Sequence, residues 1–177
     1  MKFHPIVLAA IFVIGIVPPL QAEDVLQNFS GMLWGAPIDD FRDLRKSASS
    51  GDIAYYKRDQ DFYSIGGVTL PDVVYGFFDG KFFAAFMKVA SVKSFEQIKR
   101  HLDKVYGPAR AQLRINQTIY IWDYLDVKIK LKQYGDRTDG KLAFYYIPLS
   151  VKAIATRPDQ IHEKVFELED GPPEYDF

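Results

Sequence analysis

The chain contains no cysteine, so a disulfide, a thiolate metal ligand and a thiol nucleophile are all excluded. Histidine is nearly as scarce, at three residues, and a zinc site would have to draw on distant carboxylates. No charge of one sign dominates. The 22 Lys and Arg face 23 Asp and Glu, a net of −1, which argues against nucleic acid as a partner, since phosphate binding asks for a basic face. Long apolar runs are also few. Residues 6–17 (IVLAAIFVIGIV) form one of twelve residues, about 18 Å as a helix, against about 30 Å for a bilayer core.

That run follows Lys2 and precedes Pro18, Pro19 and Leu20-Gln21-Ala22. A positive start, an apolar middle and a small residue at the end make the layout of a secretory signal. We expect residues 1–22 to be a signal peptide cleaved after Ala22, giving a periplasmic or secreted protein with no membrane span in its mature form. The remainder has room for one α+β domain over residues 23–150 and a C-terminal tail, partly disordered, over 151–177. It would rely on its core rather than on covalent staples. Its 14 Phe and 11 Tyr suit half-buried sheet faces.

After an extended entry over 23–33, Pro37 with Ile38, Phe41 and Leu44 predicts a short helix over 37–46, with Asp39 and Asp40 in its first turn. Ile53–Arg58 and Phe62–Ile65 read as strands flanking a turn at Asp59-Gln60-Asp61, with a bulge or second turn at Gly66-Gly67. Asp79-Gly80 between Val73–Phe78 and Lys81–Val89 predicts a type I′ hairpin pairing Phe77 with Phe82, Tyr75 with Ala84 and Val73 with Phe86. A second helix follows, capped by Ser94 with Gln97 and stopped by Gly107-Pro108, with Phe95, Ile98, Leu102 and Val105 on one face. Strands return at Gln117–Asp123, Asp126–Gln133 and Lys141–Ile147. From Pro148 onward only a helical turn or two over 159–167 can be placed. The expected fold is α+β: an antiparallel sheet with two short helices packed on one face, in the order helix, strands, helix, strands.

Trp34-Gly35 before a short helix, Tyr75-Gly-Phe77-Phe78-Asp-Gly80-Lys81 in a hairpin, Tyr106-Gly107-Pro108 at a helix end and Trp122 beyond it form a recurring pattern. Over residues 30–147 the chain resembles a loose group of uncharacterised exported bacterial proteins. The resemblance implies export and an α+β fold, and transfers no activity, cofactor or site.

The chemistry-bearing residues have structural explanations. His101, beside Arg100, reads as a surface imidazole on the helix, and His162 as another near the tail. The carboxylate pairs Asp39-Asp40, Asp59 with Asp61, Asp136 with Asp139, and Glu167 with Glu169-Asp170 lie at turns, a helix start or the tail. No Gly-x-Ser-x-Gly elbow supports a serine nucleophile, and Ser91-Val92-Lys93 and Ser150-Val151-Lys152 lack a frame. Lys128, Lys130 and Lys132, with Lys141 nearby, alternate with apolar residues and read as the wet side of an edge strand. No catalytic, cofactor or metal residue is assigned. The expected role is a non-enzymatic accessory or binding module of a bacterial envelope, with another envelope protein as a possible partner. The alternative is a carrier of a small apolar or aromatic ligand, and an enzyme with an unrecognised site comes third.

Overall fold

The computed structural model describes residues 25–156. The expected signal peptide and the turn over 159–167 lie outside them. The first two strands, β1 (Asn28–Phe29) and β2 (Met32–Leu33), form a tight hairpin. Then come β3 (Arg45–Ser50), β4 (Ile53–Lys57), β5 (Phe62–Ile65), β6 (Val68–Pro71), β7 (Val74–Phe78) and β8 (Lys81–Val89). Helix α1 (Val92–Tyr106) leads to β9 (Arg110–Arg114), β10 (Gln117–Tyr124), β11 (Val127–Tyr134) and β12 (Gly140–Tyr146), and α2 (Ile147–Thr156) follows.

The expected α+β class is overturned. Half of the structure is strand, built on an eight-stranded antiparallel sheet, and the layering is sandwich-like. Its order is β3-β4-β7-β8-β12-β11-β10-β9. Two up-and-down meanders, each followed by a helix, thus meet through their last strands, β8 and β12. On one face the core joins Phe29, Met32, Ile65 and Leu70 of the hairpins β1–β2 and β5–β6 to Phe95, Ile98 and Leu102 of α1. On the other face lie Val74, Phe83, Phe86 and Tyr145, with Ala153 of α2. The helices therefore cover opposite faces, and short strands share one of those layers.

The expected helix over 37–46 is a single 3-10 turn, Ile38–Asp40. Arg45–Ser50 runs on as the outer strand β3, with a bulge between Lys46 and Ala48. Serines suit an outer strand that touches little core, and the basic residues and bulge blunt it against other edges. The turn at Asp59–Asp61 does not pair its flanking strands. β4 pairs with β3 and β7, while β5 turns back at Gly66-Gly67 to pair with β6. Helix α1 begins at Ser91, whose hydroxyl accepts from the Ser94 N–H (3.2 Å). Gln97 is not part of a capping box, because its amide donates to Gly66 O (2.8 Å). At the other end Asp103 accepts from Lys99 Nζ (2.7 Å) and the Ala109 N–H (3.0 Å), and the Trp122 indole donates to Gly107 O (3.0 Å). The helix stop at Gly107-Pro108 is thereby fastened to β10. Strand β9 and helix α2 are absent from the sequence reading.

The Asp79-Gly80 turn is present, with φ of 49° and 69°, and Phe77 faces Phe82. Beyond that pair the register departs from expectation. Gly76 opposes Ala84, Tyr75 opposes Ala85 and Val74 opposes Phe86, because β8 bulges by one residue at Phe83. Phe83 and Ala84 both enter the α2 side, and Ala85 and Met87 move to the α1 side. Gly76 makes the bulge possible. A Cβ there would lie 3.1 Å from Phe83 Cε1 and 3.2 Å from Phe86 Cε2. Two rings, each contributing about 1.5–3 kcal/mol by burial, fill the place of one side chain.

These two glycines separate backbone strain from crowding. A Cβ at Gly80 meets nothing within 4 Å, so Gly80→Val acts through its φ alone and should cost about 1–2 kcal/mol, with Gly80→Asn much closer to neutral. Gly76→Val should cost about 1–3 kcal/mol by overpacking. Urea unfolding of the three variants checks this; equal losses for Gly80→Val and Gly80→Asn would contradict the turn assignment.

Candidate functional site

A cleft of about 240 Å³ opens on the α1 side of the sheet, where three segments distant in sequence converge. Asn28, Ser30 and Gly31 come from the β1–β2 hairpin, Tyr63 from β5, and His101 and Tyr106 from α1. The hairpin is shaped by Ser30 and Gly31, both at positive φ, and by Asn28 Oδ1, which accepts from the Gly31 N–H (2.9 Å). The β5–β6 turn rests directly on α1: a Cβ on Gly66 would stand 2.6 Å from His101 Cβ. That close approach turns His101 from the surface position the helix periodicity suggests to a half-buried one in the cleft wall.

Aromatic packing forms the floor. The Tyr63 ring stacks on Phe29 at 4.6 Å and meets Phe144 edge-on at 5.7 Å. Tyr106 is held edge-on against Tyr124 at 5.3 Å. Beside the hairpin, Trp34 stacks between Phe82 (4.7 Å) and Tyr146 (6.2 Å), and its indole donates to Val25 O (2.8 Å). Such contacts fix the rings through neighbours on several strands, so the cleft is largely preformed.

The cleft is polar without being charged. Burial, then the nearby Tyr124 phenol, pushes Tyr106 up to about 12. Burial and then Tyr106 drive Tyr63 upward as well. Burial, with Lys104 adding to it, lowers His101 from 6.5. Near neutral pH the lining therefore offers two phenols, a neutral imidazole, an amide and hydroxyls. This set donates and accepts hydrogen bonds but supplies no activated nucleophile and no fixed charge for an anion. Among the described residues no group of three or more His, Cys, Asp or Glu could hold a metal.

The other residues singled out from the sequence serve the fold. Asp39 and Asp40 lie in the 3-10 turn. Asp59 pairs with Arg45 (2.8 Å), and Asp61 accepts from the buried Tyr75 hydroxyl. Asp139 takes both Arg137 nitrogens (2.8 and 2.7 Å). Ser91 caps α1, and Ser150 donates to Ile147 O (3.2 Å). His162, Glu167, Glu169 and Asp170 lie outside the described residues. The lysine face departs most from expectation. Lys128 and Lys130 are half-buried, whereas Lys132 and Lys141 are 1% exposed. Nothing in the linear sequence ties Asn28, Tyr63 and Tyr106 together, and the close approach of Gly66 to His101 that seats the β5–β6 turn on α1 is visible only in the fold.

No helix among the described residues is long and apolar enough to cross a membrane. No protein-family model, curated protein or solved structure matches the chain.

The lowered His101 value has a sign that can be measured. Below 6.5 the unfolded chain takes up a proton on this residue that the folded chain resists, so stability falls as pH drops from 6.5 toward the folded midpoint. We expect an NMR titration midpoint for His101 below 6.5 and a smaller loss of thermal stability between pH 7 and pH 5 in His101→Gln. A midpoint at or above 6.5 would contradict burial and Lys104 as what governs the imidazole.

Proposed function

We propose that the chain is an exported binding module without catalytic chemistry, and that the cleft between α1, β5 and the β1–β2 hairpin holds a small uncharged ligand. The observation that carries this reading is the convergence of Tyr63, Tyr106 and His101 from two separate elements on one cleft. Rings with polar tips on a concave surface suit a ligand with an apolar face and hydroxyl or amide groups at its rim. Ligand pockets commonly measure about 300–1,000 Å³, and the cleft is smaller than that, so a single ring or a short polar chain is the size that fits.

Export rests on the positive, apolar and small-residue layout of residues 1–22. Absence of cysteine is compatible with an oxidising compartment, where no thiol is then at risk. A second reading, docking of another envelope protein along β9, draws on Leu113 and Ile115, which are 80% and 92% exposed at one end of that outer strand.

Native mass spectrometry of the mature protein isolated from its own envelope fraction separates the two. We expect one small molecule to co-purify and to be lost in Tyr106→Ala. A protein that carries no small molecule would overturn the cleft reading, and a second chain in its place would favour the β9 edge.

A further inference from the structure

The eight-stranded sheet ends in β3 on one side and β9 on the other, and the two ends are finished differently. Strand β3 is interrupted by the bulge between Lys46 and Ala48, which spoils its edge for further pairing. Strand β9 keeps an unbroken register with β10 from Arg110 to Arg114 and contains no proline. Among the described residues no strand lies beyond it.

The two hairpins that flank β10 fix which backbone groups of β9 face outward. Along an antiparallel strand, successive residues bond alternately to the neighbour on one side and on the other. A two-residue turn is closed by a hydrogen-bonded pair, here Tyr124 with Val127 and Arg114 with Gln117. Both closures give the same parity: the even-numbered residues of β10 bond to β11 and the odd-numbered ones to β9. Their partners on β9 are Arg110, Gln112 and Arg114. The N–H and C=O groups of Ala111 and Leu113 therefore point away from the sheet, a donor and an acceptor on each, set for another strand. Leu113 is 80% exposed beside them.

We propose that β9 receives an extended segment of another protein in which acidic and apolar residues alternate. The acids stand opposite Arg110 and Arg114 on one side of the edge, and the apolar residues opposite Ala111 and Leu113 on the other. This rests on the β9 docking named above and adds what docks; it does not depend on the cleft. Charge decides the occupant. A second copy of this chain would overlap most fully in the antiparallel register that sets Gln112 against its own counterpart. Each Arg110 would then meet an Arg114, and like charges directly opposite are destabilising. A carboxylate in the same place, with Cβ atoms about 4.5–5.5 Å apart, is stabilising. The surroundings lean the same way. Asp123 is shared between Arg110 (3.4 Å) and Lys128 (3.5 Å), which leaves an excess of positive charge. Burial first, then Lys128 and Arg114, lowers Lys130 two strands inward. The two arginines thus keep copies apart and admit an acidic strand, which is specificity by repulsion as well as by attraction.

NMR of the isotope-labelled mature protein tests this with two capped nine-residue peptides, one alternating glutamate with valine and the other lysine with valine. The glutamate peptide should shift the Ala111 and Leu113 amides, slow their exchange with solvent and bind about tenfold more tightly than the lysine peptide. Arg110→Glu with Arg114→Glu should invert that order, the remaining spectrum confirming the fold. Leu113→Pro should abolish binding of either peptide and leave the β9–β10 ladder intact, because the N–H it removes points outward. Equal binding of the two peptides at Ala111 and Leu113, or an order unchanged by the charge reversal, would overturn the acidic partner while keeping the open edge. No shift with either peptide, or shifts confined to β3 or the cleft, would overturn docking along β9 itself. Shifts at Ala111 and Leu113 that follow protein concentration without peptide would also overturn the proposal, because the occupant would then be a second copy.

Discussion

Every layer of this protein hangs on the pairing of β8 with β12. Each strand ends one four-stranded meander, and their antiparallel ladder, from Val89 opposite Gly140 to Ala84 opposite Tyr145, converts two modest sheets into one of eight strands. Neither meander alone would have two buried faces. Joined, they place nearly every side chain of β8 in a core, alternating between the α1 side and the α2 side except where the bulge at Phe83 breaks the alternation. A sheet so covered on both sides reads as continuous apolar sequence rather than as alternation, as in Lys81–Val89.

The bulge shows how a small feature redirects a large one. A side-chain period of two means that one extra residue transfers everything beyond it to the other face. Gly76 and Phe83 meet at that point, and the placement of Ala85, Phe86 and Met87 follows from it. The turn itself was legible in Asp79-Gly80, since few dipeptides accept two consecutive positive φ values. The bulge was not, because a glycine facing a phenylalanine has no mark in sequence until the register is known.

The other departures share this cause. Strands Phe62–Ile65, Gln117–Tyr124 and Val127–Tyr134 were legible because their apolar and β-branched residues pack locally, and α1 because its stripe has a helical period. Arg45–Ser50 and Arg110–Arg114, the outermost strands, carry few apolar residues, so their identity comes from the neighbour they pair with. Helix α2 holds Pro148 in its first turn, where proline is tolerated, yet that proline reads in sequence as the end of a strand. The helix expected over 37–46 had the right spacing and the right acids. The bridge of Pro37 to Lys81 and the bond from the Ile38 N–H to Gly80 O instead tie that segment to the central hairpin after one turn.

The two sides of the sheet carry opposite chemistry, and the composition averages them away. On the α1 side, burial keeps the phenols and the imidazole neutral, so the cleft presents shape and hydrogen-bonding groups but no charge. On the α2 side, the register of β8, β12 and β11 collects lysines that are far apart in sequence. The alternation of Lys128, Lys130 and Lys132 was visible from the start, but a wet outer strand and a covered inner one give the same pattern. What separates them is the position of β11, third from the outer edge with β10 and β9 beyond it. An inner strand has no edge for lysine to protect, so its lysines answer to the face of the sheet instead, where Lys130 lies over the Tyr145 ring and Lys132 over the Tyr134 ring.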